Sequence, residues 1–219
     1  MSLIKKIKTL LFFNQENIYF ESSKDYWQDR YMSEGTSGAG SYGNLALFKA
    51  EIINDFVNQN DINVVIDFGC GDGNQLQFAK YNNYIGLDVS VKAVELCQDK
   101  FKLDLSKKFY TYSEFLKMNF QADLVLSLDV IYHLLEDDVF NSYMNNLFST
   151  SKKYVIIYSS NYEKYIGKHV RSRKFTDWID IQMKNKFEQI AFIKNVYPFD
   201  ENKPDDTSMS DFFIYKRVI

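Results

Sequence analysis

The stretch Ile62-Asn63-Val64-Val65-Ile66-Asp67-Phe68 runs straight into Gly69-Cys70-Gly71-Asp72-Gly73. A segment dominated by β-branched and aromatic residues has the marks of a strand buried on both faces. Glycines at its end let the chain turn where a side chain would clash, and they leave bare backbone for a ligand to approach. Glycine is scarce here: of nine in 219 residues, three sit in this loop and four more in the cluster Gly35, Gly38, Gly40 and Gly43. Two such concentrations mark two places where backbone meets ligand, or two demanding turns.

The pattern around this strand alternates. Leu45, Phe48, Ile52, Ile53, Phe56 and Val57 recur at helical spacing ahead of it. After it we expect a helix over 74–80, a strand over 84–87 ending at Asp88, a helix over 90–101, and strands over 108–112 and 123–128. A helix over 137–149 and a strand over 154–159 follow. Thr176 is placed to cap a helix running to about residue 186, and two closing strands cover 189–196 and 212–218. Strands alternating with helices give a parallel sheet covered on both faces, and two closing strands with no helix between them give an antiparallel hairpin at one edge. Such a sheet binds ligands beyond the carboxyl ends of its strands. The length fits one domain, divided here into an N-terminal arm and lid over 1–43 and a ligand-binding domain over 44–219.

Composition narrows the partners. The net charge of −3 lacks the basic footprint of a nucleic-acid binder, so none is expected. Two cysteines, Cys70 and Cys97, are too few for a disulfide framework, which suits a reducing cytoplasm. No apolar run is long enough to span a bilayer. Near the N-terminus, Leu3, Ile4, Ile7, Leu10 and Leu11 share one helical face beside Lys5, Lys6 and Lys8. A helix packed on its own domain or on a partner chain is the simpler expectation there, and a surface-lying membrane helix the sharper one.

Asp67 and Asp88 stand at the ends of consecutive strands, each beside the loop that follows it. A dinucleotide fold wants G-x-G-x-x-G, but here Asn74 occupies the place of the third glycine, and Asp67 would repel a pyrophosphate. An acid is welcome beside a cationic ligand, and Asp88 is placed to accept hydrogen bonds from ribose hydroxyls.

These residues resemble motif I of class I S-adenosylmethionine (SAM)-dependent methyltransferases. Ile85-Gly86-Leu87-Asp88-Val89-Ser90 resembles the motif that follows it, and Ala122 to Val130 resembles their fourth strand. The order of elements is similar from about Leu45 to the end. The resemblance implies an α/β, Rossmann-like, doubly wound sheet of seven strands, mostly parallel with one antiparallel edge strand. It implies SAM as cofactor and S-adenosylhomocysteine (SAH) as product. Asp67, Gly69, Cys70 and Gly71 would hold the methionine moiety, and Leu128 and Asp129 would line that side. Asp88 and Val89 would take the ribose, and the loop around Tyr112-Ser113-Glu114 would border the adenine, with Glu114 the nearest candidate for the acid usual there. In similar enzymes the segment before the first core helix forms a lid.

On the acceptor side, Trp27, Tyr31 and Ser37 are candidates to close the site, against the plainer reading that they pack on the core. Tyr132 and His133 follow the fourth strand, where a histidine of near-neutral pKa can act as general base. His169, Arg171 and Arg173 form a local positive run beyond the fifth strand, suited to an anionic acceptor or simply to a solvated surface. Asp137 and Asp138 complement a helix dipole more simply than they bind a metal, so no metal site is expected. Together these readings give a methyltransferase acting on O or N of a small, anionic, phosphorylated or sugar-type metabolite, as a monomer or homodimer. The alternatives are a macromolecular acceptor (tRNA or protein) and a non-catalytic SAM-binding partner. The Asn/Asp-Pro-Pro-Tyr signature of base-amine methylation is absent, since Ser127-Leu128-Asp129-Val130 stands in its place.

Overall fold

A computed structural model describes residues 22–218. Helix α1 (Ser23–Met32) and a loop lead to α2 (Gly43–Gln59), followed by β1 (Val64–Phe68), β2 (Asn83–Asp88), α3 (Val91–Lys100), β3 (Lys107–Thr111) and the single helical turn α4 (Tyr112–Phe115). Then come β4 (Ala122–Leu128), α5 (Asp137–Thr150), β5 (Ser151–Ser159), the short strands β6 (Lys164–Gly167) and β7 (Val170–Ser172), α6 (Phe175–Gln182), β8 (Phe187–Ile193) and β9 (Asp211–Arg217). Among the described residues, seven strands form one sheet in the order β3-β2-β1-β4-β5-β9-β8, while β6 and β7 pair with each other. Strands β3, β2, β1, β4 and β5 are mutually parallel. β9 is antiparallel to both β5 and β8. The closing hairpin is therefore β8–β9, and its antiparallel member lies one place in from the edge that β8 forms.

The buried character of β1 is what holds this order. Val65, Ile66 and Phe68 are fully buried, each contributing roughly 1.5–3 kcal/mol by leaving water. Ile66 and Phe68 face a core with Met144, Leu147 and Phe148 of α5. Val65 faces the opposite core with Phe48, Ile53 and Val57 of α2 and Val94 of α3. The chain passes from β1 to β2 on one side and from β3 to β4 on the other, so the switch point lies between β1 and β4. Crossing the carboxyl ends of those strands leaves a crevice.

Three elements differ from the pattern read above. The expected helix over 74–80 is only a 3-10 turn at Gln75–Phe78. Side chains divert its backbone: Asn54 of α2 donates to the Phe78 carbonyl and accepts from Lys80 N, and Gln75 and Asn74 bond to the carbonyls of Ala46 and Ser41. Thr176 does not cap α6. The helix starts at Phe175 without a side-chain cap, ends at Gln182, and leaves the Thr176 hydroxyl to Asn161. The β6–β7 hairpin falls where a loop was expected.

Candidate functional site

The glycine loop turns through left-handed backbone at Gly69 (φ 96°), Gly71 (φ 56°) and Gly73 (φ 70°). Space is as decisive as dihedral angle. A Cβ on Gly69 would lie 2.4 Å from Val130 Cγ2, and one on Gly71 would lie 2.2 Å from Ser37 Oγ and 2.9 Å from Tyr31 Oη. The loop is thus pressed between the end of β4 and the arm.

Asp88, at the end of β2, braces this loop. Its Oδ2 accepts from Gly71 N at 3.0 Å and its Oδ1 from Ser90 N at 2.9 Å. Ser90 in turn caps α3, accepting from Ala93 N. Burial pushes the Asp88 carboxyl up to about 6, against the pull chiefly of the N–H groups of Ser90 and Gly71 that donate to it. A carboxylate offers about four acceptor positions, so two further donors can be taken up. Asp67 is buried beneath the loop and held by the Tyr84 hydroxyl, which donates to Oδ2 at 2.9 Å. Burial raises it to about 6 as well, opposed by Tyr84 and by the charge of Lys49. Its Oδ1 is buried without a hydrogen-bond partner. An unsatisfied buried acceptor is costly in isolation, and a cationic ligand nearby relieves it.

The arm closes over these groups. Asp72 Oδ2 accepts from Ser37 N at 3.1 Å and from the Tyr42 hydroxyl at 2.8 Å, and Asp72 N donates to Ser37 Oγ. Burial works against this carboxylate, yet the N–H groups of Ser37 and Asn74 and the Tyr42 hydroxyl hold it below the usual range. Tyr31 and Ser37 hydroxyls are 2.9 Å apart. At the other end of α1, the Ser23 hydroxyl reaches the His133 carbonyl at 2.7 Å and Glu136 at 2.5 Å.

Between arm and sheet lies a cavity of about 470 Å³, within the ordinary range for ligand sites. Of the residues singled out from sequence, Gly69, Gly71, Asp88, Val89, Leu128, Asp129, Trp27, Tyr31, Ser37 and His133 line it. The others do not. Asp67 and Cys70 lie buried beside it, and the Cys70 thiol is pushed up, foremost by its hydrogen bond with Cys97. Of the loop Tyr112-Ser113-Glu114, Tyr112 lines the cavity, whereas Ser113 and Glu114 are exposed and bond to Thr111. Tyr132 turns its hydroxyl to Asp129 and Ser210. His169 stacks on Tyr26 at 4.3 Å.

The two arginines are committed elsewhere. Both bond to Asp137 Oδ1, at 2.7 Å from Arg171 and 2.6 Å from Arg173. Arg173 is buried, and it also donates to the carbonyls of Leu134 and Leu135. The positive run is therefore a clamp on the loop between β4 and α5. The signal for this was Asp137, which looked in sequence like a dipole partner alone.

That clamp carries His133. The ring Nδ1 lies 3.1 Å from the His169 carbonyl, which can only accept. Nδ1 therefore bears the proton, a tautomer assigned from its partner, and Nε2 keeps a free lone pair. Burial lowers the ring to about 4, helped by His169 and Arg30, so it is neutral at pH 7. Trp27 meets it edge-to-face at 4.8 Å.

Two residues escaped the sequence reading. Tyr143 of α5 lines the cavity and places its hydroxyl 3.0 Å from the Phe68 carbonyl. Lys49 is 1 % exposed and pairs with Asp129 Oδ2 at 2.7 Å. Asp129 sits at φ 60°, unusual for a side-chain-bearing residue, with Ser210 on its other oxygen. In sequence both Tyr143 and Lys49 read as ordinary helix-face residues. Among the described residues no cluster of His, Cys, Asp and Glu could hold a metal ion.

Residues 65–153 match the family described as a methyltransferase domain. No curated protein sequence matches the chain. Among solved structures, magnesium protoporphyrin IX methyltransferase from Synechocystis with bound SAH is similar with a TM-score of 0.65 at 17 % identity, over 89 % of this chain and 98 % of that one. The N-methyltransferase NodS from Bradyrhizobium japonicum, also in complex with SAH, gives 0.58 at 11 % identity, over 78 % and 85 %. The small RNA methyltransferase HEN1 gives 0.58 at 18 % identity, over 81 % of this chain and 26 % of that one.

Proposed function

We propose that this chain, which carries the fold of the class I SAM-dependent methyltransferases, binds SAM in the cavity and transfers its methyl group to an oxygen or nitrogen of a small acceptor. The single observation that carries the reading is the convergence of Asp88, the glycine loop and His133 on one cavity.

The residues fit the cofactor. Asp88 has acceptor capacity left for two ribose hydroxyls. Gly69 and Gly71 present backbone where Cβ atoms would collide with neighbours. The orphaned Asp67 Oδ1 supplies negative potential under the methionine side. Val89 and Tyr112 provide apolar walls for a planar base. When bound, SAM supplies a methyl group made electrophilic by its sulfonium.

The protein's own contribution is alignment, exclusion of water and removal of a proton. The arm, tied to Asp72 at one end and Glu136 at the other, keeps water from the reacting centre. Trp27 and His133 bound the acceptor side. His133 Nε2, neutral and with its tautomer fixed, accepts a proton from an acceptor hydroxyl as the nucleophile attacks. The acceptor reading also changes. An anionic acceptor was expected on account of His169, Arg171 and Arg173, but those residues are engaged outside the cavity. An uncharged acceptor with an apolar or aromatic body fits Trp27, Val130 and Leu134 better.

The test is transfer of a radiolabelled methyl group from SAM to a panel of phenols, alcohols and amines, beside phosphorylated metabolites and tRNA. Turnover of an uncharged aromatic acceptor, slowed by His133→Ala, is the expected result. Turnover of the phosphorylated compounds or tRNA alone would contradict the acceptor assignment.

A further inference from the structure

The turn that carries His133 begins at Asp129, the first residue after β4. There the chain leaves the sheet through left-handed backbone, φ 60°, which a residue with a side chain adopts at a cost. From this joint the path is set. Asp129 N donates to the Tyr158 carbonyl of β5 at 2.8 Å, and Val130 presses on the glycine loop at Gly69. The 3-10 turn Ile131–His133 then brings the imidazole to the cavity. The direction of the chain at Asp129 therefore decides where the ring stands.

Elements distant in sequence hold the Asp129 side chain. Lys49 of α2 donates to Oδ2 at 2.7 Å, and Ser210 of the β8–β9 connection donates to Oδ1 at 3.0 Å. The Tyr132 hydroxyl reaches the same carboxylate. The arm closes on it too: a Cβ on Gly40 would lie 2.7 Å from Oδ2, which leaves no room for a side chain there. Lys49 is 1 % exposed, and its ammonium also faces the Tyr158 ring at 5.3 Å from the centroid. Two charges taken out of water regain little net stability from each other, and apolar side chains of similar volume commonly serve as well in such places. A costly ion pair that holds a costly backbone conformation, one turn ahead of His133, points to the site rather than to the core.

We infer that Lys49 is a positioning residue for His133. Its ammonium holds the Asp129 carboxylate, the carboxylate holds the left-handed joint, and the joint keeps Nδ1 of the ring 3.1 Å from the His169 carbonyl. Lys49 does not line the cavity, so it acts through Asp129. Without it, Asp129 relaxes towards ordinary backbone, the turn shifts, and the ring loses its burial and its fixed tautomer. Asp129 at the end of β4, Arg30 of α1 and His169 of the β6–β7 turn are the charged or titratable groups whose fields reach the ring. The consequence for turnover rests on the assignment of His133 as proton acceptor, but the ring is observable without cofactor or acceptor.

Nitrogen-15 NMR of the imidazoles in the free protein tests this. The chain has two histidines, so His133→Ala identifies the His133 signals. The wild type should show Nδ1 protonated and a titration midpoint of about 4. In Lys49→Met the Nε2–H form should appear, and the midpoint should rise by about one unit or more as water reaches the ring. Ser210→Ala removes a single hydrogen bond from Asp129 and should move both readouts the same way by less, which keeps the test decisive if Lys49→Met does not fold. With an acceptor that turns over, kcat of Lys49→Met should fall on the order of tenfold while its KM changes little. Unchanged tautomer and midpoint in the folded variants would overturn the proposal. So would a loss of turnover in Lys49→Met with the His133 signals unchanged. Altered signals in Lys49→Met, with turnover intact both there and in His133→Ala, would uphold the positioning and remove His133 from the chemistry.

Discussion

The half of the cavity proposed for the cofactor is made from strand ends and the few residues after them: β1 with its glycine loop, and β2 with Asp88 and Ser90. The half proposed for the acceptor is assembled from α1 and the β4–α5 loop, braced by the β6–β7 hairpin; these meet across more than a hundred residues, as in the contact of Ser23 with Glu136. In the first half, the backbone supplies the site and two acids finish it. In the second, side chains hold one another: Arg173 holds Asp137 and the Leu134 carbonyl, the His169 carbonyl holds His133, and Trp27 packs on that ring. A site made of backbone tolerates change except at its glycines and acids. A site made of distant side chains can be redirected piece by piece.

The sharpest way to break this contrast is Asp88→Ala. It removes two charge-assisted hydrogen bonds from the cofactor half, and SAH affinity should fall on the order of 1,000-fold by calorimetry. Asp88→Asn, which keeps the shape, should retain the melting temperature. Affinity within a few-fold of wild type would remove Asp88 from the site.

His133→Ala probes the other half. Its kcat should fall on the order of 100-fold while SAH affinity stays within a factor of about two. Equal losses in both would mean that the histidine serves the cofactor half.

Acidity separates the halves a third way. Asp88 must be ionised to accept two hydroxyls, and burial has raised it to about 6. SAH affinity should therefore drop about tenfold between pH 7 and pH 5. His133 stays neutral down to about 4, so it adds no limb in that window. The contribution of Asp67 and Asp88 to the stability of the free protein has the opposite slope. Asp67 and Asp88 hold their protons more tightly folded than unfolded, so their contribution is present below about pH 4 and is lost as pH rises through about 6. Flat SAH affinity from pH 7 to pH 5 would contradict the assignment of Asp88.

The smallest effect expected on chemistry is that of Arg173→Met. The clamp on the β4–α5 loop loosens and the melting temperature drops by several degrees, but the acceptor KM should not rise through lost charge. A large rise in KM confined to anionic acceptors would restore Arg173 to a binding role.

The same contrast explains what was legible in the sequence. Val64 to Gly73 and Leu87 to Ser90 announce themselves because strand, turn and acid are adjacent in the chain. The helices α2, α3 and α5 followed from spacing alone. Arg171 and Arg173 were read as free cations because Asp137, more than thirty residues away, gives no local sign of being their partner. The β6–β7 hairpin escaped because strands of only three and four residues are too short to show an alternating pattern. Within the loop Tyr112-Ser113-Glu114 only Tyr112 lines the cavity, since Thr111 and Glu114 form a capping box that starts a helical turn there. Lys49 hid among helix-face residues, as a buried lysine is unexpected without knowledge of its partner.

The most direct measurement is isothermal titration of SAH into the wild-type protein at neutral pH. One site per chain with micromolar affinity is the outcome expected if the cavity between the glycine loop and the arm is the cofactor site. Absence of binding to either SAH or SAM, in protein that melts cooperatively, would contradict it.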